Sequence, residues 1–326
     1  MYNDFYGLST FPFNLTPDAR FFFESSVHRK AMSYLIYGLH QAEGFVVISG
    51  EVGAGKTTLV ENLLSTLESR FVVAKIVTTK LAGDDLLYMV AHGFGIGQEN
   101  LAKGSLLKRI DDFVVSQHRA GRRALLIVDE AQNLSLPALE ELRMLSNITI
   151  GKSTALQSFL LGQPQFQAML SNPELDQLRQ RVTVAYHLGP LNETETRSYI
   201  EHRLRVANWK GDPALTEDCF LAIYRFTDGV PRRINTLCSR LLLYGFLETL
   251  HELSGAVVEK VGLDLQREMA FVKTENRHDS AYVDAAVSLA EISQRVADLE
   301  RTVDKQKRVI EQLIAVIARA FQSQQP

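Results

Sequence analysis

Apolar runs and helical apolar repeats alternate along residues 31–190. The apolar runs, each four to seven residues long, lie at 45–48, 71–77, 124–128 and 156–161, and a further extended segment lies at 182–188. Between the runs, apolar residues recur every three or four positions, as they do on helices with one buried face. Mainly apolar strands separated by helices are typical of a parallel sheet that helices cover on both faces. We therefore predict an α/β core over residues 31–190.

After Pro190 the strand-like runs stop, and residues 191–267 are predicted to form a small all-α lid. Asn192 and Glu195 have the spacing of a capping box at a helix start. Pro231 stands where the first turn of a later helix is expected. Within the core, Ser105 and Ser135 are expected to cap helices in the same way.

Residues 1–30 form an aromatic lead segment without a clear period. Its densest part is the triplet from Phe21 to Phe23. Such a segment is expected to pack on a domain surface, and the alternative is that it lines a base-binding pocket.

The end of the chain changes character twice. Residues 268–281 lose periodicity and are predicted to be a linker, and residues 282–326 then repeat apolar residues every seven positions. β-branched residues dominate one heptad position and leucines occur at the other, which favours a parallel two-stranded coiled coil. Past Lys307 the apolar face widens, which suggests a larger bundle, a partner helix or a membrane surface. The remaining alternative is that this helix folds back onto its own domain.

Composition limits the number of domains, the binding partners and the compartment that we expect. A chain of 326 residues has room for two packed domains and an extension, and its net charge of −3 gives no overall attraction to nucleic acid. The two cysteines, Cys219 and Cys238, have neither zinc-site spacing nor a nearby histidine cluster, so we expect buried thiols in a reducing compartment. Without a signal-peptide pattern or an apolar run of about 18 residues, a cytoplasmic location is expected, with any membrane contact peripheral and at the inner membrane.

The first apolar run ends in a glycine-rich turn that leads into a helix. From Gly50 to Thr57 the sequence fits G-x-x-x-x-G-K-[ST], whose glycines let backbone N–H groups turn towards a polyanion. Lys56 would bridge the β- and γ-phosphates, and the Thr57 hydroxyl would be a ligand of Mg²⁺. The residues predicted to bind nucleotide are Gly50, Glu51, Val52, Gly53, Ala54, Gly55, Lys56, Thr57 and Thr58.

Two later strands end in polar residues. Asp129 and Glu130 follow the third run, at the edge of a parallel sheet where ligands bind. Asp129 would hold Mg²⁺, and Glu130 would deprotonate the attacking water. Gln163 follows the fourth run, and it would either read the γ-phosphate or serve only as a turn residue.

Arginines near helix ends are the third candidate group. Arg179 and Arg181 precede the extended segment at 182–188, where one of them could reach the γ-phosphate of a neighbouring subunit. Arg232 lies in the first turn of a helix, where the dipole disfavours a cation. We therefore expect a phosphate beside it.

Taken together, these motifs resemble the AAA+ ATPases, and within them the ExeA/GspA-like branch, which includes secretion-associated ATPases found with exosortase and exopolysaccharide loci. The resemblance covers about residues 5–265 and rests on six stretches: 6–18, 50–58, 129–132, 162–164, 178–181 and 229–235. It implies a P-loop AAA+ fold that binds ATP and Mg²⁺. Lys56 and Thr57 then belong to Walker A, Asp129 and Glu130 to Walker B, and Gln163 to sensor 1, with Arg181 the arginine finger and Arg232 sensor 2. Arg179 and Arg233 compete for the last two roles.

The resemblance also implies partners. A finger acting in trans requires a homo-oligomer, and the coiled-coil tail would bind another protein, such as an inner-membrane complex. The leading expectation is an ATP-hydrolysing switch or assembly factor for an envelope secretion or exopolysaccharide system. The alternatives are a DNA-binding ATPase of the transposition type, suggested by Arg119, Arg122 and Arg123, and a scaffold that turns over little ATP.

Overall fold

The computed structural model describes residues 2–16, 18–41, 43–67, 70–77, 83–97, 101–150 and 153–268. The predicted coiled coil, and the predicted linker apart from Glu268, lie outside these residues. The chain divides into two compact units, Met1–Gly262 and Leu263–Pro326, and the fold and site described below belong to the first.

Parallel strands make up the core sheet, in the order β2-β3-β6-β1-β7. The strands are β1 (Phe45–Gly50), β2 (Phe71–Val77), β3 (Arg123–Asp129), β6 (Leu156–Gly162) and β7 (Val182–Leu188). The short strands β4 (Thr149–Ile150) and β5 (Ser153–Thr154) form a hairpin before β6. The predicted parallel α/β sheet is confirmed, and the extended segment 182–188 is its edge strand.

Helices cover both faces of this sheet. The core helices are α2 (Ser26–Gln41), α3 (Lys56–Thr66), α4 (Gly83–Gly93), α5 (Lys103–Arg119), α6 (Leu136–Leu145), α7 (Pro164–Leu170) and α8 (Asp176–Arg179). Along β1, Val47 packs with α4, α5 and α6, while its neighbours Val46 and Ile48 pack with α2 and α3. This alternation follows from side chains pointing to opposite faces along a strand.

The lid is mainly helical. It contains α9 (Glu193–Val206), α10 (Glu217–Thr227), α11 (Pro231–Leu247) and the first eight residues, 255–262, of a last helix, α12, which covers 255–268. The capping box of Asn192 and Glu195 is present at the start of α9. The lid also contains a pair of two-residue parallel strands, β8 (Ala214–Leu215) and β9 (Glu252–Leu253), which the sequence pattern does not predict.

The aromatic lead segment divides between two environments. Its first part, with the short helix α1 (Tyr2–Phe5), contributes Tyr2, Tyr6 and Phe13 to the lid's own core. Tyr6 donates a hydrogen bond to the Leu250 carbonyl at 3.0 Å. In the later part, residues 14–16, Asp18 and residues 21–23 line a pocket between core and lid. The segment therefore packs against the lid and also lines this pocket.

Candidate active site

Sheet order brings the polar motifs together. Strands β3, β6 and β1 are neighbours, so their carboxyl ends meet at one edge of the sheet. Gly50 ends β1, Asp129 ends β3, and Gln163 directly follows β6. Ligands of open α/β sheets bind at this edge. One pocket there is lined by the core, the lid and the lead segment.

Most of the predicted site residues lie in or beside this pocket. Those that line it are Val52, Gly53, Gly55, Lys56, Thr57, Thr58, Glu130 and Arg232. Gly50, Glu51, Asp129 and Gln163 are hydrogen-bonded to residues of this set, and the Ala54 carbonyl is bonded to His28, which also lines the pocket. Arg181 is the exception, because it lies elsewhere in its own chain.

The phosphate loop has the backbone that its glycines allow. Gly53 and Gly55 have φ of 83° and 96°, in the left-handed region that side chains disfavour. Helix α3 begins at Lys56, so its first N–H groups face the pocket. The Lys56 ammonium donates to the carbonyls of Gly50 at 2.7 Å and Glu51 at 3.0 Å. Burial lowers the pKa of Lys56, while nearby Glu130, Asp129 and Glu51 oppose that shift.

Thr57 and Asp129 form the pair of oxygens expected at a magnesium site. The Thr57 hydroxyl donates to Asp129 Oδ2 at 2.7 Å, and Asp129 Oδ1 accepts the Glu130 N–H at 2.9 Å. Mg²⁺ in nucleotide sites takes one or two protein oxygens, with water and phosphate as its other ligands. The described residues contain no cluster of three or more His, Cys, Asp or Glu side chains that could hold a metal alone. The donor set therefore fits Mg²⁺ held jointly with phosphate.

Glu130 is held by its backbone and by two amides. Its φ of 55° is uncommon for a residue with a side chain. Both Gln132 Nε2 and Gln163 Nε2, the latter at 3.1 Å, donate to Glu130 Oε2. Burial raises the pKa of Glu130, but these amides together with Lys56 and Arg232 outweigh it and keep the pKa below its ordinary value. The side chain is therefore a carboxylate facing the pocket.

The four candidate arginines lie in different places. The Arg232 N–H donates to the Gly53 carbonyl at 3.2 Å, which ties the start of α11 to the phosphate loop. Arg233 instead bonds Asp228 at 3.0 Å. Arg181 donates to the Ser146 hydroxyl at 2.8 Å, and half-exposed Arg179 pairs with Asp176.

Arg181 lies at the opposite edge of the sheet from the pocket. Its carbonyl accepts the N–H of Phe45, the first residue of β1, whereas the phosphate loop follows the last residue of that strand. A six-residue strand spans about 17 Å. Arg181 therefore does not reach the pocket of its own chain.

The part of the pocket wall that the lid contributes contains a buried polar network that the sequence did not predict. Arg203 donates to the Tyr199 hydroxyl at 2.9 Å, which in turn donates to Asn235 Oδ1 at 2.9 Å. Arg203 also bonds the carbonyls of Pro12 and Asn14. It thus fixes the lead segment against the lid. In sequence, an arginine on an amphipathic helix is indistinguishable from a solvated charge.

Comparison with known proteins agrees with this geometry. A family model described as AAA domain matches residues 39–170. General secretion pathway protein A of Aeromonas hydrophila is 38% identical over 254 residues, which cover 78% of this chain and 46% of that protein. The chain thus spans about half the length of this relative.

Solved structures share the fold. Cdc6p of Pyrobaculum aerophilum gives a TM-score of 0.58 at 15% identity, covering 77% of this chain and 69% of that one. The ADP form of Aeropyrum pernix ORC2 gives 0.53 at 17% identity, covering 72% and 67%. The Drosophila ORC bound to DNA gives 0.55 at 14% identity, covering 80% and 64%. At such identities these likenesses concern the fold alone.

No helix within the described ranges is long and apolar enough to cross a bilayer. The sheet order and phosphate loop, the match to the AAA domain and the identity to General secretion pathway protein A all point the same way. The chain belongs to the AAA+ P-loop ATPases and is a GspA-like member of that family.

Proposed function

We propose that this chain binds ATP with Mg²⁺ between its core and lid and hydrolyses it. The observation that carries the proposal is the meeting of Lys56, the Thr57–Asp129 pair and Glu130 in one pocket, beside Arg232 of the lid. These are the groups that phosphoryl transfer requires, because its catalysis consists of positioning and charge stabilisation.

Each residue has a role that follows from its position. N–H groups of the loop and of the start of α3 bind phosphate oxygens, and Lys56 adds a positive charge. Thr57 and Asp129 hold Mg²⁺, which neutralises charge on those oxygens when it is bound. Glu130 accepts a proton from the attacking water, and Gln163 lies within hydrogen-bonding distance of Glu130 to orient that water.

The pocket wall formed by the lead segment and the lid suits a nucleobase. Phe21 and Tyr199 supply apolar ring surface, and Asn235 supplies an amide whose oxygen is already bonded to Tyr199. Aromatic rings beside a few fixed polar groups are typical of small-molecule sites. Since this wall comes from the lead segment and the lid, nucleotide binding would draw both towards the core.

Replacing Glu130 by Gln tests hydrolysis. The variant should bind ATP as the wild type does but turn over at least about 100-fold more slowly, because an amide cannot accept the water's proton. Fluorescent-nucleotide titration measures binding and phosphate release measures turnover. Glu174→Gln, an exposed change on the same sheet domain, is the matched control and should behave as wild type. Wild-type turnover in Glu130→Gln would refute the role of Glu130.

We further propose that the ATPase is a switch or assembly factor for an envelope secretion or exopolysaccharide system. Support comes from the relationship to General secretion pathway protein A and from the heptad repeat at 282–326, which would bind a partner. Hydrolysis by the wild type separates this proposal from a scaffold that only holds ATP.

DNA handling is the second candidate, since two structural neighbours of the same fold are described as bound to DNA. Arg123, one of the three arginines that suggested it, is half-buried, donates to the Leu39 carbonyl and stacks on Phe71. Titrating labelled duplex with ATP-loaded Glu130→Gln at two salt concentrations distinguishes the candidates. Tight, salt-sensitive binding would favour DNA, and weak background binding would favour envelope assembly.

A further inference from the structure

Gln132 bridges the ends of two neighbouring strands. It lies in a single turn of 3₁₀ helix (Ala131–Asn133) directly after Glu130. Its Oε1 accepts the backbone N–H of Gln163 at 2.9 Å, and its Nε2 donates to Glu130 Oε2. The sequence pattern alone does not indicate a role for Gln132.

The orientation of the Gln132 amide is fixed by its partners. A backbone N–H can only donate, so the amide oxygen must face Gln163. The amide NH₂ must then face the Glu130 carboxylate, which can only accept. Rotating the amide by 180° would break both hydrogen bonds, because it would place the NH₂ group against the Gln163 N–H and the amide oxygen against the Glu130 carboxylate. The bridge therefore has one arrangement.

The two amides that hold Glu130 differ in what anchors them. Gln163 reaches Glu130 with its side chain, the same group that would orient water or phosphate. Gln132 is anchored by the backbone of Gln163, at the N-terminal end of α7. If the Gln163 side chain turns to a ligand, the bond from Gln132 to Glu130 is unaffected. Of the two amides, Gln132 is therefore the one whose bond to the Glu130 carboxylate does not depend on a side chain that turns to a ligand.

We propose that Gln132 is a positioning residue, which holds the Glu130 carboxylate in place throughout the ATPase cycle by tying it to the carboxyl end of β6. This inference rests on the proposed function, since it concerns the base of that reaction. Gln132 does not line the pocket, and it acts only through Glu130.

Gln132→Met tests the proposal, because methionine has nearly the same length without hydrogen-bonding groups. Loss of the bridge should lower kcat by about 10-fold or more, as misplaced catalytic groups do. The dissociation constant for ATP should stay within about twofold of wild type, because the residue does not contact nucleotide. Gln165→Met, at an exposed glutamine of α7, is the control and should leave both constants unchanged.

Gln132→Glu is the second variant, and it keeps the chain length and the acceptor for the Gln163 N–H. It places a carboxylate against Glu130 Oε2 instead of a donor, so kcat should fall at least as far as in Gln132→Met. Combining Gln132→Met with Glu130→Gln should add little to the loss caused by Glu130→Gln alone, since the bridge acts through that carboxylate.

A readout without nucleotide separates this inference from the proposed function. Isotope-edited infrared spectroscopy at one fixed pH identifies the Glu130 carboxylate band as the one lost in Glu130→Gln. That band should shift in Gln132→Met and stay in place in Gln165→Met. An unshifted band, an unchanged kcat, or losses that add in the double variant would overturn the role of Gln132. Absence of turnover in the wild type would instead refute the proposed hydrolysis.

Discussion

His28 joins the phosphate loop to the start of α2 through both of its ring nitrogens. Nε2 lies 3.1 Å from the Ala54 carbonyl, and Nδ1 lies 2.7 Å from the Ser25 hydroxyl. A carbonyl only accepts, so Nε2 carries the proton and Nδ1 of the neutral ring accepts from Ser25. Burial lowers the pKa of His28, while the Ala54 carbonyl and nearby Glu195 oppose that shift. The folded phosphate loop is therefore held by the neutral form of the His28 ring.

This gives stability a pH dependence of known sign. The unfolded chain takes up a proton at His28 as pH falls below about 6.5, whereas the folded chain resists it. The free energy of unfolding should therefore fall between about pH 7.5 and about pH 5.5. In His28→Gln, which keeps a donor for Ala54 but does not titrate, the fall should be smaller.

Urea unfolding at the two pH values measures this difference. His40→Gln, at an exposed position at the end of the same helix, removes a histidine without touching the loop and should follow the wild type. Equal pH dependence in His28→Gln and wild type would mean that His28 does not carry the effect.

Some residues of the pocket can be recognised from the sequence, and others cannot. Lys56, Thr57 and Glu130 line the pocket and Asp129 bonds Thr57, and all four are marked in the sequence by fixed spacing or by a strand end. His28 and Arg203 were not found, because their roles depend on burial and on contacts 26 and 191 residues away in sequence. A buried polar network has no local pattern, since its partners come from separate elements.

Helix α2 shows how closely elements approach in the core. A Cβ added at Gly38 would lie 2.2 Å from Val46 Cγ2, a fully buried side chain of β1. Gly104, on helix α5, meets no described atom within 4 Å. Both glycines are helical, so alanine gains helix propensity at each, but only at Gly38 does it meet packed atoms.

The two alanine variants should therefore have opposite signs. Gly38→Ala is expected to destabilise the protein by about 1–3 kcal/mol because of overpacking. Gly104→Ala should stabilise it by up to about 1 kcal/mol. Urea unfolding at neutral pH measures both. Stabilisation by Gly38→Ala would show that α2 can move away from the sheet at little cost.

At the scale of elements, the sequence predicted whether a segment is a helix or a strand better than it predicted where the segment begins and ends. Mainly apolar runs identified the strands of the core sheet, and Ser135 and Asn192 cap their helices as predicted. The cap at Ser105 is wrong, because α5 begins at Lys103 after Ala102. Strands β8 and β9 were not predicted. Two residues are too few to establish a period, and the two strands lie about 38 residues apart in the chain.

At the scale of the whole molecule, the lid supplies an arginine to the pocket, whereas the amino-terminal edge of the sheet supplies none. Arg232 faces the pocket, while Arg181 and Arg179 lie near the amino-terminal edge, beside Ser146 and Asp176. An arginine there can serve a nucleotide only in a neighbouring copy of the chain. Head-to-tail contacts of this kind generate rings or filaments.

A mixing experiment tests this arrangement. Arg181→Ala retains its own base but supplies no finger, and Glu130→Gln supplies the finger but lacks the base. Each variant should be nearly inactive alone. Mixing the two in equal amounts should restore about a quarter of the wild-type rate, because half of the pockets contain Glu130 and half of those pockets have a neighbouring subunit that supplies Arg181. The same test with Arg179→Ala decides between the two arginines. Recovery only with Arg179→Ala would assign the finger to Arg179, and full activity of both arginine variants alone would exclude a finger from this segment.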